Sequence, residues 1–189
     1  RYRDTGSKWS YWLSVAPTLV SLTAKPMGVT FPLALLLLDY LQARKLDKDL
    51  VLDKLPFVAV AGFFGLLAYF SVSNANALVE RYNFTFWDNI CVGFYGLLLY
   101  LWRFFVPLGL SCLYPYPVKI DDQLPFMYVW APLFAVVLLV LLIYLFRRDR
   151  RLMFGLLFFL LTVSLGLQWI PLAPSVAFDH YSYVSYIGL

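Results

Sequence analysis

The sequence predicts an all-α protein that crosses a membrane several times, as a polytopic bundle of helices. Hydrophobic residues make up 62% of the 189 residues and charged residues 14%, whereas soluble domains are about half apolar and about a quarter charged. Uncharged stretches such as 55–73 and 124–146 have the length that a helix needs to cross a bilayer. Eleven of the fifteen Lys and Arg residues fall in three clusters, at 1–8, 44–54 and 147–151. Such clusters mark cytoplasmic loops.

The apolar block 9–41 organises the chain, and we expect it to form two spans, 9–24 and 27–41. Lys25 is the one charge in the first thirty residues of this block, and Pro26 follows it. A charge at the bilayer centre costs roughly 2.5–3.5 kcal/mol, and a proline interrupts a helix interior. A turn at these two residues near a membrane face avoids both costs. The alternative is one helix of roughly 50 Å, far longer than a hydrocarbon core of about 30 Å.

Apolar stretches and polar links alternate along the rest of the chain. Further spans are expected at 55–73, 124–146 and 152–170, with the start of another at 181–189. If the basic clusters are cytoplasmic, the links 74–88, 111–125 and 171–183 lie on the other side. Both ends of the segment 89–110 would then be outside. We expect this segment to be re-entrant or interfacial. The alternative is that one of the basic clusters does not mark a cytoplasmic loop.

The charge pattern and the scarcity of metal ligands exclude several function classes. The net charge is +4, but clustering of the basic residues favours topology-setting loops over nucleic-acid binding. Cys91 and Cys112 lie in or beside apolar sequence and are expected to be buried free thiols, and His180 is the one histidine. A metal site is therefore not expected, and no cofactor motif is evident. A transporter lacks support because we find no internal repeat and few charges within apolar stretches.

Three stretches of this chain resemble segments of a known family. They are LTAKPMGVTFPLALLLLDY at 22–40, LYLWRFFVPLGLSCLYPYP at 99–117 and PLAPSVAFDHYSYVSYIGL at 171–189. In the same order, they resemble the segments "LSKPM-VTLP-LLLLDY", "YLWK–WP–L–YPYP" and "ADRYTYLPLIGL" of bacterial membrane proteins with tetratricopeptide repeats. Those proteins are similar to the transmembrane and tetratricopeptide-repeat O-mannosyltransferases, which belong to the GT-C class of glycosyltransferases.

The resemblance implies an integral-membrane glycosyltransferase, expected in the bacterial inner membrane. Such an enzyme takes sugar from a polyprenyl-phosphate donor on the non-cytoplasmic side and passes it to an acceptor, here expected to be a protein. Membrane lipids are the other expected partner. The family's acidic catalytic loop lies upstream of its "SKPM" segment and its repeats follow the membrane region. We therefore expect this chain to be an internal part of a longer protein, inactive alone and without the catalytic residues.

A second hypothesis, from another class, is a non-catalytic polytopic anchor or scaffold for the repeat domain. An acidic pair in the loop after the first span of the full-length protein supports the enzyme, and its absence supports the scaffold. The chain also departs from the family at His180, which stands where "DRY" has arginine. A phosphate contact is therefore not carried over to that position.

Two cations in apolar sequence, Lys25 and Arg103, are candidates for binding the lipid-borne phosphate. An ammonium neutralises phosphate as a point charge, and a guanidinium binds it with two parallel hydrogen bonds. The alternatives are a snorkelling lysine and an arginine anchored at the interface beside Trp102. Asp88, in the sequence FWDN, invites comparison with the family's acidic loop, but its position downstream of Lys25 favours a solvated interfacial loop.

Asp179, His180, Tyr181 and Tyr183 are candidates for binding substrate at an outer loop. Transfer to a hydroxyl needs a carboxylate that takes the acceptor proton, and aromatic or hydroxyl groups would hold the sugar. The alternative for Asp179 is a helix cap, a role that aspartate favours.

Overall fold

The computed structural model of this protein describes residues 8–24, 26–44, 47–74, 84–167, 169 and 175–189. All regular secondary structure in these residues is helical, which confirms the all-α prediction. The α-helices in chain order are α1 (Lys8–Ala24), α2 (Phe31–Leu41), α3 (Lys48–Leu52), α4 (Leu55–Asn74), α5 (Phe86–Phe105), α6 (Phe126–Phe146), α7 (Arg150–Ser164) and α8 (Ser182–Ser185). Short 3-10 turns lie at Pro26–Thr30, Asp179–Tyr181 and Tyr186–Gly188.

The chain forms two compact units, residues 1–71 and 72–189. In the first unit the turn expected at residues 25–26 is a 3-10 turn over Pro26–Thr30, so the second predicted span is α-helical only from Phe31. Leu22, near the end of α1, is buried and packs closely against Gly28 in this turn.

A buried carboxylate joins the end of α2 to the start of α4. Asp39 is 2% exposed, and its Oδ2 lies 2.9 Å from the Nζ of Lys54, while its Oδ1 lies 3.4 Å from Arg44. Beyond the other end of α2, Val29 lies against Gly65 in the middle of α4. The two helices therefore run antiparallel, and the ion pairs fix the link between them.

Helices α5 and α6 of the second unit pack side by side and run in the same direction. Tyr95, in the middle of α5, stacks on Tyr128, near the start of α6, with ring centroids 4.0 Å apart. Further along both helices, Trp102 of α5 and Phe134 of α6 line one apolar groove of about 420 Å³. The end of α5 therefore lies beside the middle of α6.

Parallel packing requires the chain between these helices, residues 106–125, to travel back along α5. It is named here the return segment. Four prolines, at 107, 115, 117 and 125, exclude a regular helix. Near its middle, Tyr114 forms an isolated antiparallel bridge with Ala177. Lys119 then forms an ion pair with Asp88 in the first turn of α5.

Helix α7 follows α6 after the short link 147–149 and runs back against it. Asp149 caps α7, because its carboxylate accepts a hydrogen bond from the N–H of Arg151 at 2.7 Å. Beyond the end of α7, the ring of Trp169 packs edge-on against Phe94 at 5.0 Å, in the first half of α5. The core between these elements contains Val92, Leu97, Tyr100, Leu101, Tyr116, Ala135, Phe159, Val163, Leu167, Val176 and Ala177.

Of the described helices, α6 is the one that is long and apolar enough to cross a membrane. Only 11% of its most apolar stretch is buried inside the protein, and its buried residues are Ala131 and Ala135. A helix that is apolar all round yet so exposed indicates contact with lipid. This supports membrane association, whereas the further crossings at 9–24, 27–41, 55–73 and 152–170 stay predictions.

Two further segments differ from those expected. Helix α7 ends at Ser164, short of residue 170, because the Ser164 hydroxyl turns back to the carbonyl of Leu161 and the N–H of Gly166 bonds the carbonyl of Val163. The segment 181–189 forms short helical turns. The segment 89–110 contains most of α5, which is continuous to Phe105, and its membrane placement stays a prediction.

Candidate functional site

A cleft of about 250 Å³ in the second unit brings together four of the predicted candidate residues. The end of α5, the return segment and the C-terminal turns line it. Arg103, Asp179, His180 and Tyr183 all contribute, although Arg103 is far from the other three in sequence. Ser111, Cys112, Ser182 and Tyr186 complete its polar lining. Cys112 is exposed there, so the expectation of a buried thiol is wrong for this cysteine and right for Cys91.

Arg103 enters the cleft from the last turn of α5 without an acidic partner. Among the described residues it forms no ion pair, and its Nε is buried without a hydrogen-bond partner. Its guanidinium carbon lies 5.7 Å from the centre of the Tyr114 ring, within the range of a cation–π contact. Within the described residues the guanidinium therefore keeps a hydrogen-bond donor for an incoming anion.

Gly109 turns the chain beside this guanidinium. Its φ of +62° lies in the left-handed region that favours glycine. A Cβ at this position would stand 3.6 Å from one terminal nitrogen of Arg103. The turn therefore bends the return segment around the arginine without a side chain in the cleft.

Asp179 lines the same cleft and is held by two donors from the return segment. Its Oδ2 accepts the N–H of Ser111 at 2.7 Å and the hydroxyl of Tyr114 at 3.0 Å. Among the described residues its Oδ1 has no hydrogen-bond partner. Asp179 begins a 3-10 turn, but its side chain does not cap the turn. The hydroxyl of Ser182 donates to the Asp179 carbonyl at 2.7 Å. One carboxylate oxygen therefore stays available to a ligand.

The chain ahead of Asp179 is fixed to α5. The carbonyl of Phe178 accepts the hydroxyl of Tyr100 at 3.1 Å, and the N–H of Phe178 donates to the same hydroxyl at 3.0 Å. Tyr186 donates to the carbonyl of Tyr100 at 2.9 Å. Tyr100 is 1% exposed, so the buried phenol sets the distance between α5 and the Asp179 turn.

The other candidates have different positions. His180 is exposed at the cleft, with its ring 4.4 Å from that of Tyr181, and Tyr183 is an exposed part of the lining. Tyr181 is outside the described lining and packs against Phe178 and Gly166, which gives it a structural position. Lys25 lies outside the described residues.

Asp88 has a structural position at the start of α5. It forms a capping box with Thr85, whose hydroxyl accepts the Asp88 N–H at 3.2 Å while the carboxylate accepts the Thr85 N–H at 2.7 Å. Its Oδ2 also lies 2.8 Å from the Nζ of Lys119. Asp88 therefore lies in the first turn of α5 with its side chain 14% exposed, and not in the solvated loop that the sequence favoured.

Sequence reasoning did not select Ser111, Gly109 or Tyr114. The "YPYP" stretch drew attention to Tyr114 only as part of a resemblance. A glycine two positions after Pro107 was a usable sign of a tight turn, but no local pattern shows which side chain such a turn accommodates.

The arrangement combines an anion-binding group with a hydrogen-bond acceptor. A guanidinium binds phosphate oxygens, and a carboxylate oxygen accepts hydrogen bonds from hydroxyl groups. In the described part of the chain, no group of three His, Cys, Asp or Glu side chains could hold a metal ion. Comparisons of the chain with protein-family models, curated proteins and solved structures gave no match.

Proposed function

We propose that this chain is part of an integral-membrane glycosyltransferase of GT-C type. It takes sugar from a polyprenyl-phosphate donor on the non-cytoplasmic side of the bacterial inner membrane and transfers it to a protein. The three-segment resemblance motivates the reaction class. The observation that carries the proposal is the cleft, where Arg103 has no acidic ion-pair partner among the described residues and lines the same space as Asp179.

The position of the cleft along α6 favours an anion that arrives on a lipid. Because Tyr95 stacks on Tyr128, Arg103 lies eight residues further on, at the level of Val136. That is ten residues, or roughly 15 Å, from the start of α6 at Phe126. If α6 crosses the bilayer, this is about half of a 30 Å hydrocarbon core. The polyprenyl chain holds a lipid-linked phosphate at the membrane beside such a site, whereas a soluble anion has no such anchor.

The proposed roles follow from the chemistry of glycosyl transfer. The acceptor hydroxyl forms the new bond to the sugar C1 as the bond from C1 to the phosphate oxygen breaks, and the phosphate keeps that electron pair. Arg103 neutralises the phosphate as it leaves. Asp179 binds a sugar or acceptor hydroxyl through Oδ1. The base that takes the hydroxyl proton is expected in the acidic loop that the resemblance locates upstream.

Binding of farnesyl phosphate to the full-length protein in nanodiscs tests the anion site. We expect tighter binding than for farnesol, which has the same chain without the phosphate. Arg103→Gln removes charge-assisted hydrogen bonds worth about 1.5–3 kcal/mol, so affinity falls roughly tenfold to 150-fold. Arg147→Gln is the matched control, since Arg147 also lies over a tyrosine ring, Tyr144 at 4.4 Å, but outside the cleft.

Sugar transfer is tested with the same variants. Membranes containing the full-length protein receive radiolabelled polyprenyl-phosphate hexoses, and label in protein is measured. We expect transfer by wild type and Arg147→Gln, and a loss of at least tenfold in Arg103→Gln. Equal affinity for farnesyl phosphate and farnesol, together with no transfer from any donor, would favour the non-catalytic scaffold.

A further inference from the structure

We infer that Tyr114 is the positioning residue of the cleft, holding Asp179 with its hydroxyl and Arg103 with its ring. The role of these two groups in binding rests on the proposed function. The position of Tyr114 does not, because it follows from contacts of the backbone, the hydroxyl and the ring, each of which can be measured without a ligand.

The backbone of Tyr114 is held by three hydrogen bonds to residues 175–177. Its N–H donates to the hydroxyl of Ser175 at 2.8 Å and to the carbonyl of Ala177 at 3.2 Å, and its carbonyl accepts the N–H of Val176 at 2.8 Å. These three partners are at most 1% exposed. A proline-containing segment without regular structure is thereby joined to the core at the residue that contacts both Arg103 and Asp179 of the cleft.

The hydroxyl of Tyr114 completes a triangle of three polar groups. It donates to Oδ2 of Asp179 at 3.0 Å and accepts the N–H of Ser111 at 3.1 Å, while the same N–H reaches Oδ2 at 2.7 Å. With Oδ2 held by two donors, the carboxylate has a fixed orientation. Its Oδ1, which has no partner among the described residues, is then the oxygen that a ligand meets.

The ring of Tyr114 supports the guanidinium on the same side of the cleft. Arg103 lies 5.7 Å from the ring centroid, and its Nε is buried. A flexible arginine that rests on an aromatic face loses less conformational entropy when it binds an anion. One tyrosine thus fixes the position of the Arg103 guanidinium, which binds the anion, and of the Asp179 carboxylate, which binds a hydroxyl.

Two substitutions separate the ring from the hydroxyl. In the full-length protein in nanodiscs, Tyr114→Phe keeps the ring, so farnesyl phosphate affinity stays within about twofold of wild type. Tyr114→Leu removes the ring, and affinity falls about threefold to tenfold. If the ring acts through Arg103, Tyr114→Leu has no further effect when Arg103→Gln is already present. Additive losses in that double variant would overturn the role of the ring.

The infrared carboxylate band of Asp179 tests the hydroxyl without any ligand. The band is isolated by subtracting the spectrum of Asp179→Asn. We expect Tyr114→Phe and Tyr114→Leu to shift it equally, because both remove one donor to Oδ2. An unchanged band in Tyr114→Phe would overturn the positioning role. A shifted band together with equal affinity for farnesyl phosphate and farnesol would keep the positioning role and reject the proposed function.

Discussion

The Nζ of Lys119 lies 2.8 Å from the Oδ2 of Asp88 and joins the end of the return segment to the first turn of α5. Burial favours the neutral acid, but the hydrogen bonds from Lys119 and Thr85 outweigh it and hold the pKa of Asp88 below its ordinary 3.8. The hydrogen bond to Asp88 outweighs desolvation and raises the pKa of Lys119 above 10.5. The pair therefore stabilises the fold while both groups are charged.

The ion pair predicts a pH-dependent effect of Lys119→Met. The contribution of Asp88 is fully present above pH 3.8 and is lost as pH falls through its lower folded pKa. The contribution of Lys119 is present below pH 10.5 and is lost as pH rises through its higher folded pKa. We expect Lys119→Met to lower the unfolding temperature at pH 7 and to have a smaller effect below the folded pKa of Asp88.

Asp122→Asn provides the control for this prediction. Asp122 also approaches Lys119, at 3.3 Å, but its side chain is 86% exposed. Exposed pairs contribute little, so Asp122→Asn should leave the unfolding temperature nearly unchanged. If Lys119→Met lowered the unfolding temperature equally at pH 7 and below the folded pKa of Asp88, the role of the ion pair would be contradicted.

The parallel arrangement of α5 and α6 predicts the sidedness or depth of three positions. In a background without Cys91 and Cys112, a cysteine at Asp121 should react with an impermeant maleimide from the non-cytoplasmic side, and one at Asp149 from the cytoplasmic side. Both parent residues are exposed. A nitroxide on the exposed Cys112 should lie several ångström deeper in the bilayer than one on the Asp121 cysteine, since Cys112 lies in the cleft near Arg103.

Power-saturation measurements with oxygen and a water-soluble nickel complex would report these depths. Labelling of the Asp121 and Asp149 cysteines from the same side would show that α6 does not cross. Equal depths at Cys112 and at the Asp121 cysteine would show that the return segment lies flat on the membrane.

The sequence was informative where local chemistry decides the structure. Uncharged length predicted α6 to within two residues at its start, and four prolines excluded a helix from the return segment. The direction of that segment depends on Tyr114 meeting Ala177, a contact between distant residues. Charge clusters alone therefore could not show that α5 ends beside the middle of α6.

The residue types of the candidate site could be predicted from the sequence, but their arrangement in space could not. Arg103 stood out because cations in apolar sequence are costly, and Asp179 because it adjoins His180 and Tyr181 in a polar link. Their meeting requires the buried Tyr100 hydroxyl to hold Phe178 against α5. A lone tyrosine in an aromatic-rich sequence gives no local sign of such a contact.

The buried Asp39–Lys54 pair predicts a large effect of removing one partner. Asp39 is 2% exposed and the Lys54 side chain 9%. Asp39→Ala leaves the ammonium buried without this carboxylate, which typically costs about 3–5 kcal/mol. The double variant Asp39→Ala with Lys54→Met should recover part of that loss, measured by chemical unfolding in detergent.

Arg44→Gln is the control for the buried pair. Arg44 contacts the same carboxylate at 3.4 Å, but its side chain is 37% exposed, so we expect a loss of less than about 1 kcal/mol. An Arg44→Gln variant as unstable as Asp39→Ala would show that the carboxylate acts through the exposed cation.

Gly155 of α7 lies so close to Gly188 that one added methyl group should push α7 and the C-terminal turns apart. A Cβ on Gly155 would overlap the carbonyl oxygen of Gly188, and that oxygen is backbone and cannot rotate away. Alanine gains about 1 kcal/mol in helix propensity over glycine, but overpacking typically costs about 1–3 kcal/mol. Since the obstructing atom is backbone, we expect Gly155→Ala to lower the free energy of unfolding by a net amount of about 1–2 kcal/mol.

Gly62→Ala in α4 is the matched control, because a Cβ there meets no atom within 4 Å. It should stabilise the protein by about 0.5–1 kcal/mol through helix propensity alone. Gly155→Ala should also weaken farnesyl phosphate binding, since Tyr183 and Tyr186 line the cleft just ahead of Gly188. Unfolding in detergent and binding in nanodiscs measure the two effects separately. Stabilisation of Gly155→Ala equal to that of Gly62→Ala would show that the C-terminal turns move away from α7 without cost.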